Sequence, residues 1–224
     1  MIPIQNLKKT ELKWMANHRC EHGHTFIEHY ACYPTRKREE RVGFLDIECS
    51  DLDPSHGIIY TYCIKDGQSS KIYSCVLEKK DVAKWGTVGK EDTRVLKQLI
   101  KDLEHFDRIV THYGSRFDLG YIRTRALVCG LEFPAYGQYS QTDTWQILKT
   151  KFRAMRSKSL KNSVATFFGD SDKTSLHGKY TRGAVRCEPW ALNYILKHNK
   201  IDVLETEKLY NLIKPYIKEA QSSI

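Results

Sequence analysis

Two carboxylates lie two residues apart in Phe44-Leu45-Asp46-Ile47-Glu48; a third lies in Arg116-Phe117-Asp118 and a fourth in Ile201-Asp202-Val203. All four have apolar neighbours. An ionised carboxylate seldom occupies an apolar strand or helix unless a cation compensates it. Four acids meeting at one point can hold two divalent ions, and such a pair can activate a water and stabilise the leaving oxygen of a phosphodiester. An all-oxygen ligand set suits Mg²⁺ or Mn²⁺.

A second group is of a different chemical kind. His18, Cys20, His22, His24, His29 and Cys32 fall within fifteen positions. Cys20-x₃-His24 followed by His29-x₂-Cys32 has the local spacing of a tetrahedral Cys₂His₂ zinc site. The short interval between the two pairs predicts a compact knuckle without a recognition helix, and Gly23 gives the loop room to turn. The expectation is a structural Zn²⁺ on Cys20, His24, His29 and Cys32. His22 can replace His24, and a polar loop with unpaired histidines is the plainer alternative.

These groups need elements to position them. Val42 to Ile47 is nearly continuous in apolar residues, as in a central strand covered on both faces. Gly57 to Ile64 and Lys71 to Leu77 read as two further strands, with the Asp66-Gly67 turn between them. Val95, Leu96, Leu99, Ile100, Leu103 and Phe106 form a helical stripe. Arg108 to Thr111 is a short buried strand, and Phe117 to Cys129 a helix closed by Gly130. Thr142 to Leu148 is a strand-to-helix junction, Leu160 to Phe168 a helix, and Asp170 to Cys187 a polar loop. Trp190 to Ile217 reads as a long helix that Pro215 kinks or ends. This order predicts an α/β domain with a mixed five-stranded sheet flanked by helices.

Ahead of it, Leu7 to Asn17 reads as a short helix and His18 to Tyr33 as the Cys/His block, with a charged connector over Pro34 to Arg41. The expected division is a zinc-binding segment over 1–40 and a main domain over 41–224. The 224 residues and 41% hydrophobic content fit one sizeable domain with an appendage. No apolar run is long enough to span a bilayer, and Met1 to Lys13 lacks the apolar core of a signal peptide. A cytoplasmic, reducing setting without membrane attachment is therefore expected. Buried free thiols account for Cys49, Cys63, Cys75, Cys129 and Cys187 better than disulfides do.

The formal net charge of +9 is compatible with several acidic partners, and its distribution is more telling. Lys149, Lys151, Arg153, Arg156, Lys158 and Lys161 crowd one stretch, and Lys173, Lys179, Arg182 and Arg186 follow. Alone, such a run is a solvated helix face. Beside an acidic metal site it reads as a track for a phosphate backbone, with Lys151, Arg153, Arg156 and Lys158 as substrate contacts.

Each acid also has a plainer reading. Asp46 and Glu48 share one face of a strand, which on an edge strand would be solvent. Asp118 opens a helix, where an acid caps or favours the dipole. Asp202 sits mid-helix, where an exposed turn would tolerate it.

Jointly, the motifs resemble those of the DEDD superfamily of 3′–5′ exonucleases, which have the ribonuclease H-like fold. Phe44 to Ser50 resembles the first motif, His112 to Asp118 the second, and His198 to Val203 the third. The nearest flavour is the exonuclease domain related to family B DNA polymerases, over about Arg41 to Ile217. The resemblance implies hydrolysis of the terminal phosphodiester with release of nucleoside monophosphates. It places Asp46, Glu48 and Asp202 on one ion and has Asp46 bridge to a second, which Asp118 orients directly or through water. It also implies substrate contacts from Leu52, as an apolar wedge against the terminal base, and from Phe117. A leucine packing into the core is the alternative for Leu52.

The chain departs from the family pattern by carrying His198, in place of tyrosine, four residues before Asp202. That spacing puts both on one helix face, so His198 can serve as general base or simply hydrogen-bond a ligand or phosphate. Thr111 or His112 stands where the second motif often starts with Asn, which leaves substrate contacts there open. The expected activity is exonuclease action on single-stranded DNA. Alternatives are an exoribonuclease, a structure-specific endonuclease, and a non-catalytic zinc-containing nucleic-acid-binding module.

Overall fold

A computed structural model of the chain describes residues 7–35, 40–82, 89–134, 138–217 and 222–223. Part of the expected connector over Pro34 to Arg41, residues 36–39, lies outside them, as do residues 1–6.

The main body is built on strands β1 (Val42–Cys49), β2 (Ile59–Asp66), β3 (Ile72–Val76), β4 (Arg108–Thr111) and β5 (Ser140–Asp143), plus a two-residue β6 (Ser222–Ser223). Their order is β3-β2-β1-β4-β5-β6. The first three form an antiparallel meander; β4 joins β1 in parallel, β5 joins β4 in parallel, and β6 pairs antiparallel with β5. The five-stranded mixed sheet is as expected. The sixth strand is an addition, too short and polar to carry any periodicity.

The helices are α1 (Lys9–Asn17), α2 (Lys79–Val82), α3 (Thr93–Leu103), α4 (Asp118–Val128), α5 (Thr144–Lys151), α6 (Leu160–Phe168), α7 (Gly178–Val185) and α8 (Pro189–Ile213). Short 3₁₀ turns cover Tyr30–Thr35 and Lys214–Tyr216. The end of α8 answers the question posed by Pro215. A proline has no N–H to donate and its ring crowds the preceding turn, so the helix stops at Ile213 and tightens into the 3₁₀ turn.

Helix α7 lies inside the segment expected to be a polar loop. The expectation fails because large apolar residues do not carry this packing. A Cβ on Gly183 would stand 2.6 Å from Ala191 Cβ, so the glycine lets α7 approach α8 at its backbone. Buried Gly183 and Ala184 make the contact, and neither generates a hydrophobic stripe.

Strand β1 is the centre of the design. Its alternating side chains serve two cores. Leu45 and Ile47 join Leu96, Leu99, Leu103, Ile109, Leu119 and Ile122 beneath α3 and α4. Phe44 points the other way, into a cluster with Cys63, Val110, Val203 and Tyr210 beneath α8. The period of two then puts Asp46 and Glu48 on the α8 face as well. The apolar run is needed on both faces, and the two acids interrupt only one of them.

One strut of the fold is a buried ion pair. Arg125, with 0% of its surface exposed, donates from Nη2 to Asp92 Oδ1 at 2.7 Å and from Nε to Asp92 Oδ2 at 2.9 Å. Asp92 also accepts the N–H of Ile59 at 3.0 Å, so α4, the start of α3 and the start of β2 meet in one network.

The N-terminal elements form their own small core of Leu7, Met15, Cys20 and Phe26, backed by Trp14, Tyr30 and Tyr33. Lys8 meets the main body, with Nζ 3.7 Å from Asp107 Oδ1 and 4.2 Å from the centroid of the Tyr139 ring. Among the described residues no helix is long and apolar enough to cross a membrane.

Candidate active site

Three elements converge on the α8 face of β1. Asp46 and Glu48 rise from the strand. From α8, buried His198, Asn199 and Asp202 face them at helical spacing. Asp118, buried at the start of α4, reaches across from the end of β4 and accepts the N–H of Ile47 at 3.2 Å.

Within this group, His198 Nε2 lies 3.6 Å from Glu48 Oε1 and 3.7 Å from Asp202 Oδ2. Ligand atoms of Glu48, His198 and Asp202 all fall within 4.8 Å of one another, inside coordination reach of one ion. Asp46 sits beside them and is held differently. Asn199 Nδ2 donates to its Oδ2 at 2.5 Å. The compact group is therefore Glu48, His198 and Asp202, with Asp46 held beside it by the Asn199 amide.

The electrostatics follow from crowding like charges out of water. Burial pushes the Asp46 carboxyl well above its usual range, and Asp202, Asp118 and Glu48 push it further, against the opposing Lys173 ammonium. Glu48 is raised to about 8 by burial and by Asp202, with Lys173 opposing. Asp118 is raised to about 7 by burial and by the charges of Asp143 and Asp202, although the Ile47 and Asp118 backbone N–H groups pull it down. Carboxyls in this state are poor residents of an empty site and good ligands for a divalent cation. Asp202 Oδ1 adds a second sign of fit, since it is buried and accepts no hydrogen bond. These residues therefore match a hard divalent cation in donor type, charge and an open valence.

Several participants have no distinctive sequence signal. Lys173 pairs its ammonium with Asp202 Oδ2 from a segment without periodicity. Thr174 Oγ1 lies 2.7 Å from His198 Nδ1. Asn199 is legible only afterwards, as a polar residue on the buried stripe of α8. Asp143, at the end of β5, caps α5 and accepts the N–H groups of Tyr113 at 2.9 Å and Ser115 at 3.0 Å, and also the Ser115 hydroxyl. It braces a tight loop. Tyr113 has φ of +73°, and a Cβ on Gly114 would meet Thr111 at 2.4 Å. That bracing aims the loop into Asp118.

The remaining predicted residues are placed as follows. Leu52 is 81% exposed in the turn after β1, which removes the core-packing alternative. Phe117 packs partly buried on the larger core, its ring 5.4 Å from that of Tyr121. Lys151, Arg153 and Arg156 are exposed. Lys158 is half-buried and its ammonium is engaged by the Met155 carbonyl. His112 is occupied within the protein, with Nδ1 2.8 Å from Thr144 Oγ1 and Nε2 2.8 Å from the Lys158 carbonyl. Burial lowers it to about 4, against the Lys158 hydrogen bond and the Asp143 charge.

The Cys/His group is brought together away from this site, with one correction. Cys20, His22, His29 and Cys32 converge, and His24 is left out. The backbone explains the exchange. Cys20 N–H donates to the His24 carbonyl at 2.8 Å and Gly23, at φ of +80°, turns the chain between them, so the His22 ring faces the sulfurs.

Against known proteins, a family model described as RNase_H_2 of the RNase_H superfamily matches residues 43–214. The chain belongs to the RNase_H superfamily. The match spans β1 through the end of α8, and with them every acid of the site. Membership of this superfamily supports nuclease activity in general, and RNase H-like nucleases generally use divalent metals. The fold is also similar to the structure of the family B DNA polymerase from the hyperthermophilic archaeon Pyrobaculum calidifontis, with a TM-score of 0.66 and 17% identity. That likeness covers 80% of this chain and 25% of the polymerase chain, so this chain spans about a quarter of that protein. No curated protein matches the chain.

Proposed function

We propose that this RNase_H-superfamily protein is a metal-dependent 3′–5′ exonuclease that hydrolyses single-stranded DNA to nucleoside monophosphates. The observation that carries the reading is the convergence of Glu48, His198 and Asp202 within 4.8 Å, with Asp46 of β1 and Asp118 of α4 beside them. Two Mg²⁺ or Mn²⁺ held by Asp46, Glu48, Asp118 and Asp202 would supply an activated water and stabilisation of the leaving 3′ oxygen.

The chain's own residues do the rest. Burial depresses the basicity of His198, with Asp202 opposing and Lys173 reinforcing, so the ring is neutral near pH 7. When Nδ1–H donates to Thr174, the Nε2 lone pair is turned toward Glu48 and Asp202. Nε2 is then placed to take the proton of the attacking water. Asn199 fixes one oxygen of Asp46 and leaves the other for coordination. Lys173 balances charge at Asp202.

Two features support a single-stranded substrate. Leu52 stands exposed four residues after Glu48, as an apolar wedge for a terminal base would. Along α8, Trp190 and Tyr194 precede His198 at four-residue steps. Trp190 is 51% exposed, and Tyr194 stacks on Tyr180, which lies 4.9 Å from Lys179 Nζ. Aromatic faces interleaved with cations suit unstacked bases. The similarity to a polymerase chain and the motif resemblance support DNA over RNA. Parallel digestion of 5′-labelled linear single-stranded DNA, duplex DNA, RNA and circular single-stranded DNA tests the assignment. Progressive shortening of the linear DNA strand alone agrees with it, and cleavage of the circle would make the enzyme an endonuclease.

A further inference from the structure

The Cys/His group takes no part in the chemistry proposed above, and its geometry argues separately. Nδ1 of His22 lies 3.8 Å from Cys20 Sγ and 3.3 Å from Cys32 Sγ. Nδ1 of His29 lies 3.5 Å from Cys20 Sγ and 3.6 Å from Cys32 Sγ. Each ring nitrogen therefore faces both sulfurs at similar range. A hydrogen bond explains this poorly, because one N–H proton serves one acceptor well and would draw each ring toward one thiol. A shared central ion explains it directly. With Zn–S of about 2.3 Å and Zn–N of about 2.0–2.1 Å, a tetrahedron has S···N edges of roughly 3.6 Å. The four observed edges, 3.3 to 3.8 Å, straddle that length.

We propose that Cys20, His22, His29 and Cys32 hold one Zn²⁺, both histidines through Nδ1, as a closed structural site. Four protein ligands leave no position for a reacting water. Two thiolates with two imidazoles form the softer set that zinc prefers over Mg²⁺.

The surroundings are built for the purpose. One ligand pair lies on a turn closed by Gly23 N–H to the Cys20 carbonyl and by the Arg19–Thr25 bridge. The other follows a reciprocal cap in which Thr25 N–H donates to Glu28 Oε2 at 2.8 Å and Glu28 N–H to Thr25 Oγ1 at 3.2 Å. The N-terminal core of Leu7, Met15, Cys20 and Phe26 is too small to hold such loops by burial alone, which is where small modules use metal.

The module is anchored to the main body. Lys8 reaches Asp107 and Tyr139, which precede β4 and β5. Asp118 and Asp143 stand at the other ends of those strands. With all four positions filled by protein ligands, the zinc secures the module.

The test is metal content of the full chain, purified without chelator and washed with excess Mg²⁺. One zinc per chain is expected in the wild type and in Asp46→Ala and His24→Ala. Loss of it is expected in His22→Ala and Cys32→Ser. Replacement by Co²⁺ should give the charge-transfer absorption of thiolate ligation, a readout independent of how well the variants fold. A wild type without tightly held zinc, a zinc that leaves with Asp46→Ala, or one that depends on His24 and not His22 would overturn the proposal. None of these results bears on whether the acid cluster hydrolyses nucleic acid.

Discussion

His198 Nε2 stands 3.6 Å from Glu48 Oε1, so the imidazole of the longest helix faces a carboxylate of the central strand across the interface that holds the two together. Apolar packing of Phe44, Val203 and Tyr210 a few residues away fixes the distance between β1 and α8, and hence the position of the ring. The site is as rigid as the core beside it.

If Nε2 accepts a proton during hydrolysis, His198→Ala should lower kcat by on the order of 10²–10⁴ with a much smaller change in KM. Steady-state kinetics on a labelled single strand measure this. An unchanged kcat would remove His198 from the chemistry.

Asn199 holds Asp46 at 2.5 Å and is a positioning residue. Asn199→Ala should leave the fold intact while weakening metal affinity by roughly 10- to 100-fold, the usual cost of losing a group that orients a ligand. Activity titrated against Mn²⁺ should recover at high metal. Wild-type metal dependence in this variant would contradict the assigned role.

The raised carboxyls make a pH prediction for protein stripped of divalent cations. Glu48 moves from 4.5 to about 8 on folding, and Asp118 from 3.8 to about 7. Between those limits these two carboxyls bind more protons in the folded state, so their contribution to stability is full below about 4 and is lost as pH rises through 8, while His112, lowered to about 4, works in the opposite sense below 6.5. Urea melts in chelator should show a lower midpoint at pH 8 than at pH 6.5, with Glu48→Gln flattening the slope and added Mg²⁺ restoring the midpoint. A slope unaffected by Glu48→Gln would contradict the burial argument.

The Arg125–Asp92 pair makes a stability prediction away from the site. Arg125→Ala leaves Asp92 buried without its cation and should cost about 3–5 kcal/mol in urea unfolding. A loss under about 1 kcal/mol would mean that the pair is not isolated from water.

The legible parts of the chain are those where one residue type carries one signal. β1 is visible because both of its faces need apolar side chains, and Asp46 and Glu48 are visible because they interrupt it. α8 shows its stripe, and α6 ends at Gly169, whose φ of +88° closes it as a capping glycine does. What is hidden is carried by small residues or by tertiary reach. α7 packs through Gly183 and Ala184, which leave no hydrophobic period. Lys173 enters the site from a segment with no pattern, and its ion pair with Asp202 spans 29 positions. His22 and His24 are equivalent by spacing, and only the turn at Gly23 selects between them.

The acids of β1, α4 and α8 are proposed to act together on a divalent cation and to cut nucleic acid from its 3′ end. The most direct measurement follows a 5′-labelled single-stranded DNA with wild type, Asp46→Ala and Asp202→Ala, each with Mg²⁺ or with chelator. A ladder of progressively shortened strands is expected for the wild type with metal, and intact substrate in every other lane. Undiminished shortening by both variants, or by the wild type in chelator, would contradict it.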